Sequence, residues 1–240
     1  MENQVLIQEK KRWGLTGNQL KLIAMLTMLI DHIGVYLYPN LEILRIIGRI
    51  SFPIFAYMIA EGCRYTRNRG EYLGMIAALG VICQVVFYVA MGSLYMGILI
   101  TFSLSILCIY AVDNFLKKRN VVSGILMVFT LVEVLFLVKV LPGMATLTDY
   151  DVDYGLVGIV LPIAVYYMPK KAYKLAAVAG VLLSMGLQDG GIYWYAMLSL
   201  PFLALYNGER GKHKLKYMFY IFYPAHLVLL YVIGMLMWMS

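Results

Sequence analysis

Met28-Leu-Ile-Asp31-His32-Ile-Gly34 sets a carboxylate and an imidazole inside a run that otherwise reads as lipid-soluble helix. After a Pro39-Asn40 turn, Arg45-Ile-Ile-Gly-Arg49 adds two guanidiniums to the next apolar run. A charge at the bilayer centre costs about 2.5–3.5 kcal/mol on insertion scales, so an intramembrane ionisable cluster is by default a functional site.

The rest of the chain supports that setting. Of 240 residues, 62% are hydrophobic and 14% charged, with mean hydropathy +0.78. A soluble domain is about 25% charged. Apolar windows of about 20 residues recur along the chain, the signature of membrane-crossing helices. The period-2 alternation of a barrel is missing. The expected fold is therefore all-α, a polytopic transmembrane bundle of about nine helices. They are read at 17–38, 43–60, 72–91, 94–112, 121–141, 153–168, 172–188, 191–206 and 216–239. The seventh and eighth runs are short, which leaves a merged or re-entrant segment open. Residues 1–16 read as a cytoplasmic tail and 17–240 as one membrane-embedded domain. No apolar stretch with a cleavage site precedes the first helix, so it is expected to serve as its own insertion signal.

Charge fixes the orientation. All Lys and Arg except Arg45, Arg49 and Lys139 fall in the tail or at one set of helix ends, whereas Asp149, Asp151, Asp153 and Asp189 fall at the other. The positive-inside rule then puts the N-terminus in the cytoplasm and the C-terminus outside. The net charge of +7 is a topology signal here and implies no nucleic acid. Cys63, Cys83 and Cys108 lie in apolar surroundings without ligand spacing and read as small buried hydrophobes.

Four groups in the first two helices can converge. His32 lies roughly 22 Å along a helix begun at Gly17, in the outer half of the bilayer, and Arg45 and Arg49 enter from that side on one face. Adjacent helical residues diverge by about 100°, so Asp31 is expected to pair with Arg45 or Arg49 and leave His32 facing a cavity. A second constellation is Tyr217-Met-Phe-Tyr220-Ile-Phe-Tyr223-Pro224-Ala-His226, where Tyr223 and His226 share a face. Pro224 is expected to kink the helix there. A third is Asp149-Tyr-Asp-Val-Asp153-Tyr154-Gly155; it lacks the bidentate Glu of a calcium loop, and no metal is expected. On the inside, Glu61-Gly62-Cys63-Arg64 with Arg67 and Arg69 could hold a polyanion, since guanidinium suits phosphate. Glu133 and Lys139 carry no assigned role. No Walker-type loop is present, which argues against an ATP-driven pump, and no Ser or Cys nucleophile motif appears.

These residues resemble the TraX family of bacterial membrane proteins. The resemblance rests on Leu20-Lys21, Asp31-His32-Ile-Gly34, Leu44-Arg45-Ile-Ile-Gly48-Arg49-Ile-Ser-Phe52-Pro53-Ile-Phe55-Ala56, Glu61-Gly62 with Thr66-Arg67-Asn68, Asp153-Tyr154-Gly155 with Gly158, and Phe222-Tyr223-Pro224-Ala-His226-Leu227. The founding member is implicated in acetylating the N-terminus of conjugative pilin. Wider relatives of the acyltransferase-three type move acetyl groups from cytoplasmic acetyl-CoA to acceptors outside, and look to a His in an early helix with nearby Arg. One departure is Leu156-Val157-Gly158, where the pilin-modifying members are expected to be rich in aromatics.

The resemblance implies a membrane-bound O- or N-acyltransferase of the bacterial cytoplasmic membrane. Acetyl-CoA is the donor, and an extracytoplasmic protein, glycan or lipid-linked molecule is the acceptor. It puts His32, Asp31, Arg45 and Arg49 in the catalytic set, and Arg64, Arg67 and Arg69 on the donor's phosphates. Tyr223, His226, Asp153, Tyr154 and Glu61 fall to the acyl group or the acceptor, and a homodimer is allowed. The alternatives are a proton-coupled transporter or flippase using Asp31, His32 and His226, and a non-catalytic membrane assembly factor.

Overall fold

A computed structural model of the chain describes residues 13–144, 149–212 and 216–239. The tail up to Arg12 and the basic residue Lys214 lie outside them. The elements are α1 (Gly17–Tyr36), α2 (Glu42–Gly48), α3 (Ser51–Tyr65), α4 (Arg69–Met91), α5 (Ile98–Lys118) and α6 (Val121–Leu135), which runs on through a π turn and a short 3₁₀ turn to Gly143. Then come α7 (Gly155–Tyr167), α8 (Lys171–Asp189), a 3₁₀ segment (Gly191–Ser199) leading into α9 (Leu200–Ala204), and α10 (Lys216–Met239). Among the described residues there is no strand, only the isolated bridges Leu15–Tyr206 and Met96–Val152.

The caps explain where the helices stop. Thr16 and Gln19 form a capping box at the start of α1, Thr16 N–H donating to Gln19 Oε1 at 2.9 Å. Asn68 caps α4 and Asn120 caps α6, each accepting from the backbone N–H three residues on. Gly92 ends α4 in the left-handed conformation, a standard helix stop.

Among the described residues, six segments are long and apolar enough to cross a membrane: 17–36, 42–65, 69–91, 98–118, 121–143 and 218–237. Contacts show that the other three traverse the bundle too. The start of α7 meets Arg49 and Phe52 through Tyr154, whereas its far end meets Arg64 through the Tyr166 and Met168 carbonyls. Lys174 near the start of α8 bonds Glu61, in the last turns of α3. Tyr193 returns to Arg49, and Leu205, at the end of the same segment, bonds Leu15. A 3₁₀ helix rises about 2.0 Å per residue, so residues 191–204 reach about 25 Å with few residues.

Three expectations change in detail. The second helix is split, because the backbone turns tightly at Arg49-Ile50 between α2 and α3. It also extends to Tyr65, shrinking the gap expected between 60 and 72 to residues 66–68. Finally, α10 is one helical element through Pro224, whose ring removes one backbone donor.

The core forms around α3. Tyr57 and Ile54 of α3, Leu20 of α1, Ile106 of α5, Leu161 of α7 and Leu182 of α8 are all fully buried in one cluster. Valine and leucine side chains of α4 and α6, such as Val85, Val89, Val128 and Val132, point outward, as lipid-facing surfaces do.

Candidate functional site

The first helix crossing is built on a glycine. At Gly48 a Cβ would lie 2.1 Å from Asp31 Oδ1, so only glycine lets α2 come this close to α1. That approach brings three charges together. Arg45 Nη1 donates to Asp31 Oδ2 at 2.9 Å, and Arg49 Nη2 to Oδ1 at 2.9 Å and to Oδ2 at 3.1 Å. Asp31 therefore pairs with both arginines. Arg49 is 6% exposed, sits over the rings of Tyr154 and Tyr193 at 5.7 and 5.5 Å, and keeps a buried Nε that bonds no other described group. Asp153, on the same cavity and close enough to Arg49 to feel its charge, is the second acid of the site.

His32 is turned away from that pair. Its Nδ1 lies 3.0 Å from Nε2 of His226, and His226 Nδ1 lies 2.7 Å from the Phe222 carbonyl oxygen. A carbonyl only accepts, so His226 Nδ1 carries a proton. In the neutral pair His226 Nε2 then accepts from the Nδ1–H of His32, and the lone pair of His32 resides on Nε2. His226 is 4% exposed and packed between Phe222 and Tyr223, so the arrangement is rigid.

A cavity with about 430 Å³ of empty space opens beside these groups. His32, Asp31, Phe52, Asp153, Tyr154 and Tyr223 are among its walls. Tyr154 takes a left-handed backbone (φ 57°), uncommon for a bulky residue, and is held there by stacking on Phe52 at 3.9 Å and by Arg49. In the connecting loop, Tyr95 O–H donates to Asp153 Oδ1 at 2.8 Å, and Thr101 Oγ1 holds the Asp153 carbonyl at 2.9 Å. Burial pushes the Asp153 carboxyl up to about 6 despite the Tyr95 hydrogen bond and the nearby Arg49.

The structure thus brings Asp31, His32, Arg45, Arg49, Asp153, Tyr154, Tyr223 and His226 together. Glu61 stands apart: it forms a buried ion pair with Lys174 and accepts from Tyr206 O–H at 3.5 Å, well down α3 from the cavity. Arg64 and Arg69 are also engaged within the protein. Arg64 bonds the carbonyls of Tyr166 and Met168; Arg69 bonds Asp113 at 2.5 Å and the Tyr166 hydroxyl at 3.1 Å. Arg67 is exposed. Cys63 and Cys108 are buried, and Cys83 is half-buried. No group of three His, Cys, Asp or Glu side chains that could hold a metal occurs among the described residues.

Sequence reading missed the roles of Tyr95, Tyr193 and Lys21. The two tyrosines reach the site only through tertiary folding, but Lys21 left a signal. It lies 11 residues before His32, about three full turns, and so shares its face of α1. Lys21 Nζ sits 5.4 Å from the Phe219 ring of α10, with Arg210 close by, and neither cation makes an ion pair among the described residues. The α1–α10 seam therefore carries uncompensated positive charge at one end and the histidine pair toward the other.

Fold and site define a multi-pass helical membrane protein with a buried ionisable cluster opening on an internal cavity. The family described as "TraX protein" matches residues 16–234, and the chain belongs to that family. It is 27% identical over 247 aligned residues to the "Probable fimbrial assembly protein FimC, serogroup H1" of Dichelobacter nodosus, covering 88% of this chain and 93% of that one. A 38-residue stretch is 60% identical to "Uncharacterized protein RP591" of Rickettsia prowazekii (strain Madrid E), covering 16% of this chain and 15% of that one. No solved structure matches.

Proposed function

We propose that this protein transfers an acetyl group from cytoplasmic acetyl-CoA to a hydroxyl or amine of an extracytoplasmic acceptor. The observation that carries the reading is the 3.0 Å contact between His32 Nδ1 and His226 Nε2, at the edge of a cavity beside the Asp31–Arg45–Arg49 cluster. With its Nδ1 proton committed to His226, His32 presents Nε2 as a base. The acceptor attacks the thioester carbonyl and gives its proton to His32 Nε2. The new C–O or C–N bond forms, the C–S bond breaks, and the proton passes from His32 to the departing thiolate. The unpartnered Nε–H of Arg49 favours the developing oxyanion. Asp31 holds both guanidiniums in place.

On this reading the basic ends face the cytoplasm of a bacterial cell membrane, as the positive-inside rule requires. Lys21 and Arg210 suit the donor's phosphates better than Arg64 or Arg69, which are already occupied. A phosphopantetheine arm is about thirteen bonds long, a little over four extended residues or about 15 Å. Lys21 and His32 are about 16 Å apart along the α1 axis. A fimbrial assembly relative is consistent with an acceptor bound for the cell surface.

Vesicles of defined orientation test the proposal. Labelled acetyl-CoA supplied to sealed inverted vesicles is expected to give acetyl incorporation that depends on His32, and to give none in sealed right-side-out vesicles. Equal incorporation in both would contradict transfer from the cytoplasmic side.

A further inference from the structure

A second cavity, with about 510 Å³ of empty space, runs between α4 and α10. Cys83, Val86, Phe87, Pro224, Leu227 and Val228 line it, and its exposed lining is almost wholly apolar. Tyr231 O–H donates to the Ala90 carbonyl at 3.0 Å, tying α10 to α4 at one end of the groove. Around it Ile82, Val85, Val89, Leu229 and Val232 are all exposed. In a membrane this is a lipid-facing surface, so only hydrocarbon reaches the groove directly.

The groove lies next to the candidate site. Tyr36 lines the groove, and its ring centroid is 6.2 Å from that of His32. Pro224 in the groove wall follows Tyr223, which lines the catalytic cavity, and Cys83 lies near enough to interact with Tyr223. Chemistry decides the occupant: the lining offers almost no polar partner and the surrounding surface faces lipid, so a hydrocarbon chain is what fits along it.

We propose that the acceptor is an amphiphile, whose hydrocarbon chain lies in the α4–α10 groove while its hydroxyl or amine reaches His32 past Tyr36 and Tyr223. This rests on the acyltransfer reading and names the acceptor class for it: a lipid or lipid-linked molecule entering sideways from the outer leaflet. Its binding draws on hydrocarbon burial, and its reactive group is delivered at the depth of the histidine pair.

The test uses membranes containing the full-length protein, with labelled acetyl-CoA supplied at the cytoplasmic face. His32-dependent label is expected in the chloroform–methanol extract. Ala90→Phe or Leu227→Trp, each filling the groove, should lower that label by about tenfold or more, comparable to losing two buried methylenes at about 0.8 kcal/mol each. Val128→Phe, on the lipid-facing side of α6, should leave it unchanged. His32-dependent label in precipitated protein or water-soluble glycan would overturn the amphiphilic acceptor and leave acyl transfer standing. Undiminished lipid labelling in both folded groove variants would overturn the groove. The absence of His32-dependent label from every fraction would overturn the acyltransfer reading, and this proposal with it.

Discussion

Gly48→Ala is the smallest change that should dismantle the charge cluster. The added methyl would sit 2.1 Å from Asp31 Oδ1, 2.2 Å from its Cβ and 2.4 Å from its Cγ. The Cβ of Asp31 is fixed to the α1 backbone, so a rotamer change cannot relieve the clash; α1 and α2 must part by about 1 Å. The Arg49–Asp31 hydrogen bonds, now 2.9 and 3.1 Å, would stretch beyond bonding range. Overpacking costs about 1–3 kcal/mol and a lost hydrogen bond between charged groups about 1.5–3, so the variant should lose about 3–5 kcal/mol. At about 2–4 °C per kcal/mol for a chain of this size, Tm should fall by roughly 6–20 °C. Thermal unfolding in detergent, followed by circular dichroism, measures this. Gly74→Ala and Gly180→Ala are internal controls: both glycines are in helices with no atom within 4 Å of the added Cβ. These should be neutral or gain about 0.5–1 kcal/mol. A Gly48→Ala protein that melts with its controls would refute the close α1–α2 crossing.

His226→Ala should lower kcat by about 100-fold while KM for acetyl-CoA changes little, and His226→Gln, whose amide oxygen can still accept from His32 Nδ1–H, should recover part of it; steady-state thiol release reports both. Asp153 is held at about 6 in the fold against an ordinary 3.8, so the folded state binds the extra proton between these values and stability falls as pH rises through them. Asp153→Asn should therefore melt with the wild type below pH 3.8 and above it in temperature at pH 7, as Tm measured across that range would show. The Glu61–Lys174 pair, both side chains 8% exposed, should behave as a buried ion pair. Removing one partner with Glu61→Gln should cost about 3–5 kcal/mol, whereas Glu61→Leu with Lys174→Met should cost much less, as chemical denaturation of the purified proteins would report.

Much of this was legible in the sequence, because bilayer-spanning helices announce themselves by length, apolarity and flanking charge. The nine runs correspond to nine helical segments among the described residues, although the eighth is mostly 3₁₀ helix, a geometry that hydropathy does not encode. The pairing of Asp31 with Arg45 or Arg49 followed from depth and the 100° step between Asp31 and His32. The partner of His32 did not follow, because His226 lies 194 residues away and no helical periodicity relates α1 to α10. Glu61 read as a site residue because an acid in an apolar helix always invites that reading. Its neutralising partner, Lys174, could be seen only once α8 was packed on α3. Likewise Arg64 and Arg69 looked available for a polyanion until Asp113 and the end of α7 came into contact with them.

The most direct measurement of the central claim is thiol release from labelled acetyl-CoA by purified protein in lipid nanodiscs, wild type beside His32→Ala. The two must be matched for folded protein by Tm. The account predicts release and acetyl transfer in the wild type and a loss of about 10²–10⁴-fold in the variant, the range of a general base. Equal turnover by a folded His32→Ala protein would contradict it.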